Sequence, residues 1–175
     1  PTCLLVFHPV VQQAQSSAAQ MTQVLRAALD SGMQVLCLQP NADAGADDIR
    51  AVIEQHRGSP QLHVVTHLAR PTYLAWMRHA EVMLGNSSSG IIEAASFGLP
   101  VVNVGARQNN RERGNNVIDC APLAGDITRA LTQARQWRGQ TFNNPYGDGH
   151  AGARITELLA TLPLSPALLE KSNAY

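Results

Sequence analysis

The sequence predicts an α/β fold: a doubly wound, parallel, Rossmann-like sheet in a single domain spanning residues 1–175. Short apolar runs of strand length alternate with amphipathic stretches of helical spacing along the chain. Gly, Pro and Asn punctuate the junctions between them. With 175 residues, 45% of them apolar, the chain can bury one sizeable core. Parallel strands need a long crossover, usually a helix, so this alternation implies a parallel sheet.

The first strand is Thr2 to Phe7, ending at His8-Pro9, and Ser16 to Leu29 follows with Ala19, Val24, Ala27 and Ala28 at helical spacing. Ser31-Gly32 closes that helix. Met33 to Leu38 is the second strand, stopped by Gln39-Pro40-Asn41, and Asp47 to Arg57 the second helix. Gln61 to Val65 is the third strand, and beyond His67 and Pro71 a short helix runs from about Thr72 to His79. Glu81 to Leu84, then a helix from Ser89 to Phe97, then Val101 to Val104 continue the pattern, with Gly98-Leu99-Pro100 as the break. Asn116 to Ile118 is a candidate sixth strand, and Ala124 to Trp137 and Ala151 to Leu162 read as closing helices. The tail from Leu162 to Tyr175, with Pro163 and Pro166, is a candidate for packing on another domain or a partner.

Thirteen basic and thirteen acidic side chains cancel, so the chain lacks the broad positive field of a nucleic-acid or anionic-membrane binder. An anionic ligand must therefore be held locally. Cys3, Cys37 and Cys120 show neither disulfide nor metal-ligand spacing, and they read as buried free thiols of a cytoplasmic protein. No apolar run is long enough to span a bilayer. The start at Pro1, without methionine and directly before a strand, raises the expectation of a piece of a longer protein.

In open α/β sheets ligands bind beyond the carboxyl ends of the strands. The residues there are His8-Pro9, Pro40-Asn41-Ala42-Asp43, Thr66-His67, Asn86-Ser87-Ser88-Ser89 and Gly105-Ala106-Arg107. Gly85 to Glu93, Gly-Asn-Ser-Ser-Ser-Gly-Ile-Ile-Glu, leads a strand into a helix whose orphan amides suit a phosphate or diphosphate. Plain capping by the serines is the competing reading. Glu93, within about a turn of that helix start, would repel a close phosphate. It suits vicinal ribose hydroxyls or simply complements the helix dipole.

Arg107 follows the fifth strand and can fork onto phosphate oxygens, whereas Arg111 and Arg113 read more simply as solvated loop charges. His8 is the candidate catalytic residue, through acid/base chemistry or as a donor to phosphate; bonding to a neighbouring loop is the alternative. His67 has only its strand-end position in its favour. The dinucleotide, P-loop and serine-hydrolase glycine motifs are all missing from this sequence.

Taken in order, His8-Pro9-Val10, Pro40 to Gly45, His67, Gly85 to Glu93, Phe97 to Gly105, Arg107-Gln108, Arg111-Glu112 and Asn144 to Gly149 resemble the hydrolysing UDP-N-acetylglucosamine 2-epimerases. The resemblance runs over roughly residues 1 to 160. It implies one half of a glycosyltransferase-B type architecture, the carboxy-terminal, UDP-binding half, with the amino-terminal half absent. It implies elimination of UDP through a 2-acetamidoglucal, then hydration to N-acetylmannosamine for sialic acid synthesis.

By this similarity Ser87 and Ser88 hold the diphosphate, Glu93 the ribose hydroxyls and Arg107 a phosphate. His8 and Asn41 approach the nucleotide or sugar, and the backbone at Leu68 reads the uracil edge. The implied partners are UDP and a UDP-N-acetylhexosamine, with no metal or cofactor, and a homo-oligomer stays open. Val10-Val11 after His8-Pro9 departs from the Arg-Arg-Glu run of the non-hydrolysing relatives. Ala46-Asp47-Asp48 departs from the basic residues through which some hydrolysing members bind a feedback nucleotide sugar. A diacetamido sugar, a glycosyltransferase half and a non-catalytic UDP-sugar sensor are the readings that stand beside the leading one.

Overall fold

The computed structural model describes residues 1–170, so the last five residues of the tail lie outside the described ones. Six strands are present: β1 Thr2–Val6, β2 Gln34–Leu38, β3 Leu62–Val65, β4 Val82–Gly85, β5 Val101–Val104 and β6 Val117–Cys120. They form one parallel sheet in the order β3-β2-β1-β4-β5-β6. The order reverses between β1 and β4, which leaves a crevice at their carboxyl ends. The helices are α1 Ser17–Asp30, α2 Ala46–Gln55, α3 Arg70–His79, α4 Ser88–Ile92, α5 Ala124–Arg135, α6 Ala151–Thr161 and the short α7 Pro166–Leu169.

Both faces of the sheet are covered, and the two-residue period of a strand sorts its side chains between them. From β1, Cys3 and Leu5 enter a core shared with Met21, Leu25, Ile49 and Ile127 of α1, α2 and α5. Leu4 and Val6 of the same strand point the other way, into a core shared with Met77 of α3, Ala94 and Leu99. Strand β4 splits in the same manner: Val82 and Leu84 join the first core and Met83 the second. Each fully buried aliphatic side chain contributes roughly 1.5–3 kcal/mol relative to exposure. The continuously apolar strands are thus a consequence of burial on two sides.

Several boundaries differ from the sequence expectation. The α3 helix begins at Arg70, because Pro71 sits in its first turn, where a missing N–H costs nothing and the fixed φ is already helical. The expected helix from Ser89 to Phe97 is two pieces. Here α4 ends at Ile92, Glu93 is its C-cap, still in the right-handed helical region but with φ stretched to −112° at ψ −36°, and Ala94–Phe97 winds as a 3-10 turn closed by left-handed Gly98. Glu93 therefore caps the carboxyl end of α4, and the reading of it as a carboxylate complementing the amino end of that helix is corrected. A further 3-10 turn, Val11–Ser16, precedes α1, and β6 lies one to two residues further along than expected.

Cys3 and Cys37 are buried and unpaired, and burial pushes their thiols up to about 12. They behave as small apolar side chains. Among the described residues no helix is long and apolar enough to cross a membrane.

Candidate functional site

The crevice at the strand ends is a cleft of about 520 Å³, within the usual range for a small-molecule site. The loop after β1 supplies His8, the loop after β2 Pro40 and Asn41, and the loop after β3 His67 and Leu68. The start of α3 adds Arg70 and Tyr73, and the start of α4 adds Ser87 and Ser89. Of the residues marked in the sequence, His8, Asn41, Leu68 and Ser87 line this cleft. Ser88, Glu93 and Arg107 are not among its lining residues; Glu93 and Arg107 are joined to it through hydrogen-bonded neighbours.

The joining residue for Arg107 is Asn86, whose backbone and side chain are almost wholly buried. Its amide oxygen accepts from His8 N–H at 2.7 Å, and its amide nitrogen donates to the His8 carbonyl at 2.8 Å. Its own carbonyl accepts from Arg107 Nη1 at 3.1 Å and from Gln108 Nε2 at 2.8 Å. Asn86, the residue directly after β4, therefore sets the relative position of the loops after β1 and β5, the first through its side chain and the second through its backbone carbonyl. Gln108 is buried, and its Oε1 has no hydrogen-bond partner among the described residues. Spacing in the sequence assigns neither Asn86 nor Gln108 a role, because it does not give a buried amide its partners.

The approach of β4 to β1 depends on Gly85, which has φ +135°. A Cβ there would meet the Val6 carbonyl oxygen at 2.0 Å. No side chain fits, and the same approach lets Asn86 N–H donate to that carbonyl at 3.1 Å.

His8 is oriented by a second bond. Its Nδ1 accepts from the Asn41 backbone N–H at 3.2 Å, which leaves Nε2 to carry the proton. Burial, with Arg107 adding to it against a smaller opposing effect of Asp43, pushes its pKa down to about 4. The imidazole is neutral at pH 7, with one N–H to offer. Arg50 of α2 fixes the Asn41 loop by donating to the Asn41 carbonyl at 3.0 Å while pairing with Asp47.

Ser87 is both the N-cap of α4 and a lining residue of the cleft. Its side chain caps α4 by accepting from Ser89 N–H, a long bond at 3.4 Å, and its hydroxyl also faces the cleft. Ser87 Oγ lies 2.9 Å from Ser89 Oγ, which lies 2.6 Å from the Tyr73 hydroxyl. Burial pushes the Tyr73 hydroxyl pKa up, so this chain of hydroxyls stays protonated. Ser88 is the first residue of α4.

Glu93 reaches the cleft through Arg70, whose Nη2 donates to its Oε1 at 2.7 Å. Arg113 is absorbed structurally, paired with Asp119 at 2.9 Å and donating to the Gln108 carbonyl. That removes it from the candidate phosphate ligands.

The profile of the UDP-N-acetylglucosamine 2-epimerase family matches residues 1–160. The chain belongs to this family. It is 47% identical over 173 residues to a UDP-N,N′-diacetylbacillosamine 2-epimerase (hydrolyzing) of Legionella pneumophila, covering 99% of this chain and 46% of that protein. It is 32% identical over 129 residues to a UDP-N-acetylglucosamine 2-epimerase of Neisseria meningitidis, covering 74% and 34% respectively. The chain thus spans less than half the length of these relatives.

Its fold is that of the UDP-GlcNAc 2-epimerase of Methanocaldococcus jannaschii, solved in complex with UDP-GlcNAc and UDP. The TM-score is 0.73 at 13% identity, covering 91% of this chain and 45% of that one. An Escherichia coli heptosyltransferase structure with ADP also matches, with a TM-score of 0.51 at 11% identity over 79% of this chain and 44% of that one. The chain therefore has the fold of one half of a glycosyltransferase-B type molecule.

Proposed function

We propose that this chain is the UDP-binding half of a hydrolysing 2-epimerase whose substrate is a UDP-diacetamido sugar. The observation that carries the sugar assignment is the 47% identity across 99% of the chain to the diacetylbacillosamine enzyme, against 32% across 74% to the N-acetylglucosamine enzyme. UDP-N-acetylglucosamine, the substrate expected from the sequence motifs, becomes the second reading.

The site supports a role in holding the departing nucleotide. In this reaction the C2 proton leaves, the bond from C1 to the diphosphate oxygen breaks, and UDP departs from a glucal, to which water then adds. The charge that develops falls on the diphosphate. Fixed donors aimed there stabilise the transition state more than the ground state. His8 Nε2–H, Ser87 and Ser88 with the first amides of α4, and Arg107 are those donors. Asn41 lies beside the sugar end of the cleft, the Leu68 backbone meets the uracil and Glu93 the ribose hydroxyls.

His8 acts as a neutral hydrogen-bond donor in this scheme. A group with a pKa of about 4 is too weak a base to take the C2 proton near neutrality. The carboxylates that move protons belong to the amino-terminal half.

Steady-state assays of the complete protein with the two UDP-sugars test the assignment. The diacetamido substrate should be preferred by about tenfold or more in kcat/KM, since an unpaired polar substituent or site group is costly. An equal or reversed preference would assign the enzyme to N-acetylglucosamine. The 175-residue chain alone should bind UDP and release none from either sugar.

A further inference from the structure

The pairing of Arg70 with Glu93 is unexplained by the fold. Arg70 is the first residue of α3, where the helix dipole disfavours a cation, and the first turn of that helix holds no acidic residue. Its side chain is 70% exposed, so it adds little to the core. It nevertheless lines the cleft and donates to Glu93 Oε1 at 2.7 Å. Three residues on, and so on the same face of α3, Tyr73 reaches the same element through Ser89. Pro71 stiffens the backbone between them. The start of α3 is thus a rigid bracket with two arms, one on each end of α4.

Glu93 is the C-cap of α4, at the junction with the 3-10 turn that follows it. The carboxylate is mostly covered, at 24% exposure, and Arg70 engages one of its oxygens.

We infer that Arg70 is a positioning residue that orients the Glu93 carboxylate toward the ribose, and so sets how strongly the site selects a ribonucleotide over its 2′-deoxy counterpart. The inference rests on the reading of Glu93 as the ribose ligand. A carboxylate already held in one rotamer binds vicinal hydroxyls without first losing that freedom. When Arg70 is removed, the carboxylate remains but its direction is lost. The effect therefore falls on the contact with the hydroxyls, leaving the diphosphate contacts in place.

Calorimetric titration with UDP and with 2′-deoxy-UDP separates these contributions in the wild type, Arg70→Met, Glu93→Gln and the double variant. The wild type should prefer UDP by about tenfold, the effect expected of one hydrogen bond to a charged group. Arg70→Met, which keeps the apolar stem, should reduce that preference to about threefold or less, and Glu93→Gln likewise. The double variant should lose no more than Glu93→Gln alone. If Arg70→Met weakens both nucleotides by the same factor, or leaves the preference intact, the Arg70 inference is overturned while the Glu93 reading stands. A wild type that binds UDP without any preference overturns the ribose role of Glu93, and the inference with it. A wild type that fails to bind UDP overturns the proposed function itself.

Discussion

His8 presents a single proton to the cleft because its two ring nitrogens have different neighbours. Nδ1 is occupied by the Asn41 N–H, and burial opposes a second proton. Its pKa is about 4 in the folded chain and 6.5 ordinarily, so the folded state binds fewer protons than the unfolded state between those values. The stability this contributes is complete above pH 6.5 and is lost as pH falls toward about 4. Long-range nitrogen correlation spectra at pH 7 should show Nε2 protonated and Nδ1 bare, with no titration until the pH nears about 4. A midpoint close to 6.5 would return His8 to the candidate general acids and bases.

At this scale the sequence was legible where a residue's position at a strand end placed it beside the cleft. His8, Asn41 and Ser87 follow strands or open a helix and line one cleft, as does Leu68, which the family resemblance alone marked. Asn86, Gln108 and Arg70 were not assigned roles, since their importance lies in partners 22 to 78 positions away in sequence. Periodicity carries no information about such contacts.

At the scale of elements, the carboxyl end of β4 determines whether the cleft forms. Gly85 lets that strand approach the Val6 carbonyl, and everything that Asn86 holds depends on it. Gly85→Ala should destabilise the chain by about 3 kcal/mol or more in urea unfolding, combining overpacking with a strained backbone. Gly105→Ala makes the comparison: its φ is +76° but a Cβ would meet nothing within 4 Å, so it should cost only about 1 kcal/mol. Equal costs would show that the close approach to β1 is not what requires glycine at position 85.

The alternation of strands and helices was readable because both faces of the sheet bury apolar residues. What was not readable was where a proline opens a helix rather than delaying it, as at Pro71, and where Glu93 interrupts one. Both errors concern ends, where capping and tertiary contacts override propensity. Both also hid the pairing of Arg70 with Glu93.

At the scale of the molecule, the six-stranded sheet carries an open cleft on the side where its strands end. A glycosyltransferase-B type architecture places a second half across such a cleft, and this chain spans less than half the length of its curated relatives. Division of labour follows in the proposed enzyme: this half holds the nucleotide leaving group, and the facing half moves protons and reads most of the sugar. The balanced charge of the chain suits that role, because the diphosphate is met by a few fixed donors and no broad positive field is needed. The central claim is that the cleft is a UDP site built around those donors. Calorimetric titration of the chain with UDP, for the wild type and Arg107→Ala side by side, tests it most directly. A single saturable site is expected, weakened by about 1.5 to 3 kcal/mol, or more than about tenfold in affinity, when the guanidinium is removed. Absence of binding, or equal affinity in the two proteins, would contradict it.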